Sequence, residues 1–119
     1  MIDRIRLSSG AKSQLITLKR RTGMEHNNAL CRHALCLSLA NPAAIPHEAL
    51  NFSGGIEIDW RIFTGNHEAV YYNLIVMRLL SEHKKITEVS VKEAVIQHTH
   101  RGLSYLTNQG NDLVSFNLV

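Results

Sequence analysis

Two periodicities meet in the first forty residues of this 119-residue chain and restrict its fold more than anything that follows. Residues 2–8 alternate, with Ile5 and Leu7 on one face and Arg4 and Arg6 on the other. A period of two is that of a strand with one buried and one solvated side. The period then becomes helical. Ser8 or Ser9 is placed to cap a helix over residues 9–22, because a serine oxygen accepts from an orphan N–H of the first turn. Ala11, Leu15, Leu18 and Thr22 share one face of that helix. Lys12 and Lys19 flank the stripe two turns apart, and Arg20 lies further round. Gly23 suits the left-handed position just past a helix end.

A second helix is expected over residues 26–40. Ala29, Leu30, Cys31, Ala34, Leu35, Cys36, Leu37, Leu39 and Ala40 make it apolar round nearly its whole circumference. Such a helix is expected to be buried on every side. In so short a chain, that much burial implies a core shared between subunits. Strand, helix, helix is the order of a ribbon-helix-helix unit, whose strand edge asks for a partner chain. Beyond it, Asn41, Pro42, Pro46, Gly54 and Gly55 punctuate a loop over residues 41–55. Ile56, Ile58 and Trp60 alternate with Glu57, Asp59 and Arg61, which predicts a second short strand. Asn66 is placed to cap a helix over 67–84, with Val70, Leu74, Met77 and Leu80 at helical spacing. Ser90 and Glu93 form a capping-box pattern opening a last helix to about residue 108. Gly110 follows its end, and the tail over 112–119 is apolar enough to be docked. The expectation is one mainly α domain over residues 1–119. It comprises a variant ribbon-helix-helix unit at 1–40, a loop and short strand at 41–65, and C-terminal helices and tail at 66–119.

Hydrophobic residues make up 45% of the chain and charged residues 19%, so it can build a core and is not disordered. No apolar run approaches the roughly 20 residues of a membrane span. Arg4 and Arg6 lead into an amphipathic helix rather than the apolar segment of a signal peptide. These features predict a soluble cytoplasmic protein with reduced thiols. Cys31 and Cys36, the two cysteines, point roughly 140° apart on a helix, too far round to share a metal or a disulfide. Both read as small buried hydrophobes. His98 and His100 flank Thr99 and point to different faces, where with Arg101 they are expected to line a polar surface. Glu57 and Asp59 share a strand face, which alternation alone accounts for. The sequence holds no Gly-rich phosphate loop, nucleophile elbow or two-metal carboxylate cluster. No enzyme activity, metal or cofactor is expected.

The chemistry that stands out is cationic. Arg4, Arg6, Lys12, Lys19, Arg20 and Arg21 are opposed by one acid, Asp3, within the first 22 residues of a chain of net charge +3. Phosphate contacts by such residues release counterions and make binding salt-dependent. Arginines on a strand face suit a major groove, as in β-ribbon readers. The plain alternative is a solvated helix face. The start of the second helix offers N–H groups to an anion, but Glu25 there would repel phosphate.

Three runs of sequence, "IRLSSGAKSQLITLKRRTGM", "LCRHALCLSLANP" and "IEIDWRIFTG", resemble in this order the DndE family, small subunits of the bacterial DNA phosphorothioation system. The resemblance implies a variant ribbon-helix-helix fold, a homotetramer and binding of nicked duplex DNA. It also implies partners: a cysteine desulfurase, an iron–sulfur sulfurtransferase-like subunit and an ATPase. Lys12 and Lys19 match the family's basic helix pattern, and Arg20 and Arg21 complete "LKRRTG". Met24 and Glu25 stand where regulators of the ribbon-helix-helix type place a polar cap, which favours backbone binding over groove readout. The resulting expectation is a DNA-binding accessory subunit. The alternatives are a scaffold that bridges the sulfurtransferase-like and ATPase subunits without holding DNA, and a sequence-specific repressor.

Overall fold

The computed structural model describes residues 2–46 and 48–109, so the expected tail and Gly110 lie outside the described residues. The chain opens with strand β1 (Arg4–Leu7), then helices α1 (Ser9–Thr22) and α2 (Asn27–Leu39). Strand β2 (Ile56–Asp59) runs directly into a single turn, α3 (Trp60–Phe63), and helices α4 (Glu68–Ser81) and α5 (Glu88–Asn108) complete the described fold.

Alternation in β1 does what its period requires: Ile5 and Leu7 are wholly buried, while Arg4 and Arg6 face outward. The strand's partner differs from expectation. β1 pairs antiparallel with β2 of the same chain, Ile5 opposite Ile58 and Leu7 opposite Ile56. The long loop between α2 and β2 lets the chain return across its own first strand. Backbone bonds from Trp60 N to Asp3 O at 2.9 Å and from Ser9 N to Asn51 O at 3.1 Å extend the ribbon at both ends. A ribbon-helix-helix dimer makes this pairing between chains; here it is made within one.

Local signals hold at α1. Ser8 Oγ accepts from Ala11 N at 3.0 Å, and Gly23 closes the helix at φ 74°. Ala11, Leu15 and Leu18 are buried. α2 corrects the expectation of burial on all sides. Leu30, Cys31, Ala34, Leu35 and Ser38 are buried, but His33, Cys36 and Ala40 are exposed. One face is covered by α5 of the same chain, so this helix gives no ground for a shared core. α5 can cover it because of Gly102. A β-carbon there would collide with the Ala34 carbonyl and lie 2.7 Å from its Cα, so the two backbones meet directly.

Three boundaries also move. The second strand ends at Asp59, whose carboxylate accepts from Arg61 N at 2.9 Å and turns the chain into α3. Trp60 and Phe63 then stack at 5.6 Å inside the core instead of continuing a strand. α4 ends in a Schellman turn: His83, at φ 58°, donates to Leu80 O at 3.0 Å and Lys84 to Leu79 O at 3.0 Å. The capping box of α5 is Thr87 with Ser90, not Ser90 with Glu93. Thr87 Oγ1 accepts from Ser90 N at 3.0 Å while Ser90 Oγ accepts from Thr87 N at 2.8 Å.

Gly102→Ala should therefore destabilise the fold by about 3 kcal/mol, since neither backbone can yield without separating the helices. Gly10→Ala, whose β-carbon would meet nothing nearer than Ser8 Oγ at 3.7 Å, should be neutral or stabilising. Urea denaturation of the two variants checks the contrast.

Candidate nucleic-acid interface

The six cations singled out in the sequence fall into three environments. Arg4 and Arg6 project from the outer face of β1, and Glu57 stands beside them on β2, directly opposite Arg6. Arg4 Nη1 donates to Glu57 Oε2 at 3.3 Å, and Arg6 Nε lies 3.5 Å from Glu57 Oε1. The Arg6 guanidinium also covers the Phe52 ring at 5.3 Å. All three charged side chains are about half exposed, so these pairs are weak and can be exchanged for other anions. Arg21 turns the other way. Its Nη1 donates to the Thr107 carbonyl at 2.9 Å, tying the end of α1 to the end of α5.

Lys12, Lys19 and Arg20 remain on the open side of α1. Lys12 and Arg20 are exposed and Lys19 is partly covered. Seven residues separate the two lysines, or about 10 Å along the helix. The helix contains no carboxylate, and no ion pair engages these three cations among the described residues. Three cations in the last turn also complement the helix dipole, which explains Lys19 to Arg21 but not Lys12. The position of α1 is held from behind: Ser8 N donates to His100 Nε2 at 3.1 Å, and Gln14 Nε2 donates to Ser104 Oγ at 3.3 Å.

The ribbon's own cleft, about 770 Å3, is a poor phosphate site. Asp3, Glu57, Asp59 and Glu68 line it against Arg4 and Arg61. The α1 face is therefore the better anion surface.

A second polar cluster was not legible in the sequence. Arg78 of α4 and Arg101 of α5 converge on the C-terminal end of α2. Arg78 donates to Leu39 O at 3.1 Å, Asn41 O at 2.8 Å and Ala43 O at 3.0 Å. Arg101 donates to Ser38 O at 2.8 Å, Ala43 O at 2.8 Å and Asn41 O at 3.2 Å. Two guanidiniums thus satisfy the orphan carbonyls of a helix end and its following loop. Burial tends to raise the Glu82 carboxyl, but its hydrogen bond from Arg78 at 3.1 Å and the nearby Lys84 hold it below its usual range.

The histidines correct another expectation: His98 and His100 are buried and line no surface. Ser38 Oγ, which accepts from Arg101 Nε at 2.8 Å, lies 2.8 Å from His98 Nδ1. Burial, with Arg78 and Arg101 alongside, lowers the His98 pKa to about 4. His100 Nδ1 lies 2.7 Å from Ile96 O while its Nε2 accepts from Ser8 N, a pattern that selects the neutral ring protonated on Nδ1. Burial lowers its pKa as well. Cys31 is buried as expected, and burial pushes its thiol up to about 12. Cys36 is exposed instead, beside Arg32, His33 and Tyr71. Among the described residues no group of three or more His, Cys, Asp or Glu side chains is placed to hold a metal ion. No helix among them is long and apolar enough to cross a membrane.

These features define a small, mainly helical protein built on an intrachain two-stranded ribbon, with one helix that displays cations and no acid. The family model described as DNA sulphur modification protein DndE matches residues 4–112, and the chain belongs to that family, whose role lies in DNA phosphorothioation. Among solved structures it is similar to the crystal structure of DndE from Escherichia coli B7A, described as involved in DNA phosphorothioation modification. The TM-score is 0.73 at 19% identity, covering 89% of this chain and 97% of that one. At that identity the likeness speaks to the fold. No curated protein matches significantly.

The buried histidines make stability pH-dependent in a defined window. His98 titrates near its ordinary 6.5 when unfolded and near 4 when folded. Below pH 6.5 the unfolded chain takes up a proton that the folded chain refuses, so stability falls as the pH drops from 6.5 toward 4. The loss from this group approaches about 3 kcal/mol at the low end. Denaturation midpoints measured across that range should fall, and His98→Asn should flatten the fall. A thiol reagent should label Cys36 in the native protein and Cys31 only on unfolding. Cys36→Ser should abolish the native-state labelling.

Proposed function

We propose that this chain is a DNA-binding accessory subunit of the phosphorothioation machinery. It holds duplex DNA, at a nick, on a basic surface repeated by the symmetry of a homotetramer, while sulfurtransferase-like and ATPase subunits act on the backbone. The observation that carries the reading is the open face of α1, where Lys12, Lys19 and Arg20 stand without a carboxylate on the same helix. Arg4 and Arg6 are a reserve of charge that exchanges Glu57 for phosphate, and Arg21 steadies the end of α1 against α5. Contacts of this kind neutralise phosphates and read no bases. The intrachain pairing of β1 supports the same conclusion. A repressor of the ribbon-helix-helix type presents a two-fold ribbon made of two β1 strands, whereas here β2 occupies that place.

The scaffold reading gains nothing from α2, whose apolar face α5 covers. What favours it is a feature seen in the fold, the exposed apolar stripe of α4. Binding of the isolated chain to intact, nicked and single-stranded DNA across a salt series separates the two. The DNA-holding subunit binds nicked duplex best and loses affinity as salt rises. A chain that ignores all three DNAs is the scaffold.

Lys12→Glu with Lys19→Glu should weaken binding at least about tenfold. It should also reduce the slope of log affinity against log salt by about 2, since each phosphate left without its lysine lowers that slope by about one. The thermal midpoint should stay unchanged. Unaltered binding would move the site off α1.

A further inference from the structure

One side chain is out of place on the basic face of α1. Ile16 is 53% exposed and is the only hydrophobic side chain of that helix left in water, since Ala11, Leu15 and Leu18 are buried. A single exposed apolar residue is ordinary on a protein surface, but the position of this one is not. At about 100° per residue, Lys12 and Lys19 lie about 40° and 60° to one side of Ile16, and Arg20 about 40° to the other. Along the axis Lys12 is about 6 Å below it, with Lys19 and Arg20 about 4.5 Å and 6 Å above. Gly10 and Ser13, also exposed on this helix, are small. Isoleucine therefore holds the centre of the cationic face. A lysine there would add a phosphate contact and favour the helix more than a β-branched residue does.

A surface built for phosphates alone gains nothing from isoleucine at its middle. Lysine and arginine are longer than isoleucine, so cations that reach the phosphates of an intact duplex hold its bases away from Ile16. A nick removes that restraint. One strand is no longer continuous, so the step can bend open and bring the faces of the flanking base pairs within reach. An isoleucine laid against such a face is removed from water. Side chains of this class, Ile among them, act as wedges between base steps in proteins that kink DNA. Unstacking is easiest where the duplex is already damaged. The contact is made to a base face, which every base has, so it agrees with binding that reads no sequence.

We infer that Ile16 is the nick-sensing residue of this surface. It packs against the base pair laid bare at a break in one strand, while Lys12 on one side and Lys19 and Arg20 on the other hold the flanking phosphates. The inference rests on the proposed function and deepens it. Cations supply affinity for any duplex, and the isoleucine between them supplies the preference for a broken one. The backing of α1 suits the role. Ser8 N on His100 Nε2 and Gln14 Nε2 on Ser104 Oγ fix the helix from behind, and Arg21 ties its end to α5. Ile16 is thus presented on a rigid element, as a wedge must be.

Anisotropy titrations of the full chain with nicked and intact duplexes of one sequence, at fixed salt, test it. Ile16→Ala should lower affinity for the nicked duplex about tenfold, the loss expected when an aliphatic side chain buried in a complex is cut back. Affinity for the intact duplex should not change. Ile16→Lys should raise affinity for the intact duplex and bring the ratio of the two affinities toward one. 2-Aminopurine placed beside the nick should brighten when the wild type binds, because its stacking is lost, and stay dim with Ile16→Ala. Neither substitution touches the core, so circular dichroism and sedimenting mass should match the wild type. A loss shared equally by both duplexes, or no loss at all, would overturn the inference and leave the phosphate surface standing, since Lys12→Glu with Lys19→Glu probes that surface separately. Bound wild type that leaves 2-aminopurine dim would overturn it as well. A smaller mass for Ile16→Ala would place the residue between copies of the chain instead of against DNA. A wild type that binds both duplexes equally would remove the nick preference and the inference together. A wild type that binds no DNA would overturn the proposed function itself, and this reading with it.

Discussion

The crossing of α2 over α5 is the contact on which the rest of this molecule depends. Gly102 has no side chain, so α5 meets the Ala34 backbone without a spacer. Backbone contact of this kind buries Leu30, Ala34 and Leu35 on one helix and Val95, Leu103 and Leu106 on the other. It also sets the polar side chains of α5 in register. Arg101, one residue before the crossing, reaches the end of α2, and His98, one turn earlier, reaches Ser38. His100 faces another way and receives the backbone of Ser8, where β1 becomes α1. One helix therefore closes α2, positions α1 and backs the ribbon. A small separation of α2 from α5 would disturb all three.

Charge is distributed by the same architecture. Arg78 and Arg101 are drawn inward to the carbonyls at the end of α2 and of the loop that follows it. Burial and their charge together keep the His98 ring neutral. Arg4 and Arg6 are offered an acid by the strand beside them. Arg21 is turned onto the end of α5. The open face of α1 is what remains of the basic character of the N-terminal unit once these demands are met. For that reason the proposed interface is smaller than the six cations of the sequence suggest, and better defined. Membership of the DndE family gives such a face a context in DNA phosphorothioation.

Much of the element order is legible in the residues themselves. Alternation marks β1, and Ser8 and Gly23 bound α1 through local backbone hydrogen bonding that needs no distant partner. Elsewhere the pattern misleads, and neighbours supplied by the fold explain why. Trp60 continues the alternation of β2, yet a local cap from Asp59 and the stacking of Trp60 on Phe63 take it into a turn of helix. Apolarity around α2 predicts burial on all sides, although Cys36 lies in the open. The stripe of α4 has the spacing of a core face, and the fold turns it outward. Gly102 is the signal that sequence reasoning missed. An isolated glycine inside a long helical pattern commonly marks a close backbone approach, and here it marks the central one.

The sequence by itself determined the local events: which segments are helix or strand, where most of them begin and end, and that the N-terminal unit is basic. Those outcomes depend on side-chain periodicity and caps within a few residues, whose energies hardly change with context. Only the tertiary structure decided which strand β1 would pair with, which face of each helix would be buried, and which cations would remain on the surface. Those outcomes depend on contacts between residues far apart in the chain, such as Ala34 with Gly102 and Ser8 with His100. Periodicity names a face of a helix but not its neighbour, and a guanidinium seeks whichever acceptor the fold leaves unsatisfied.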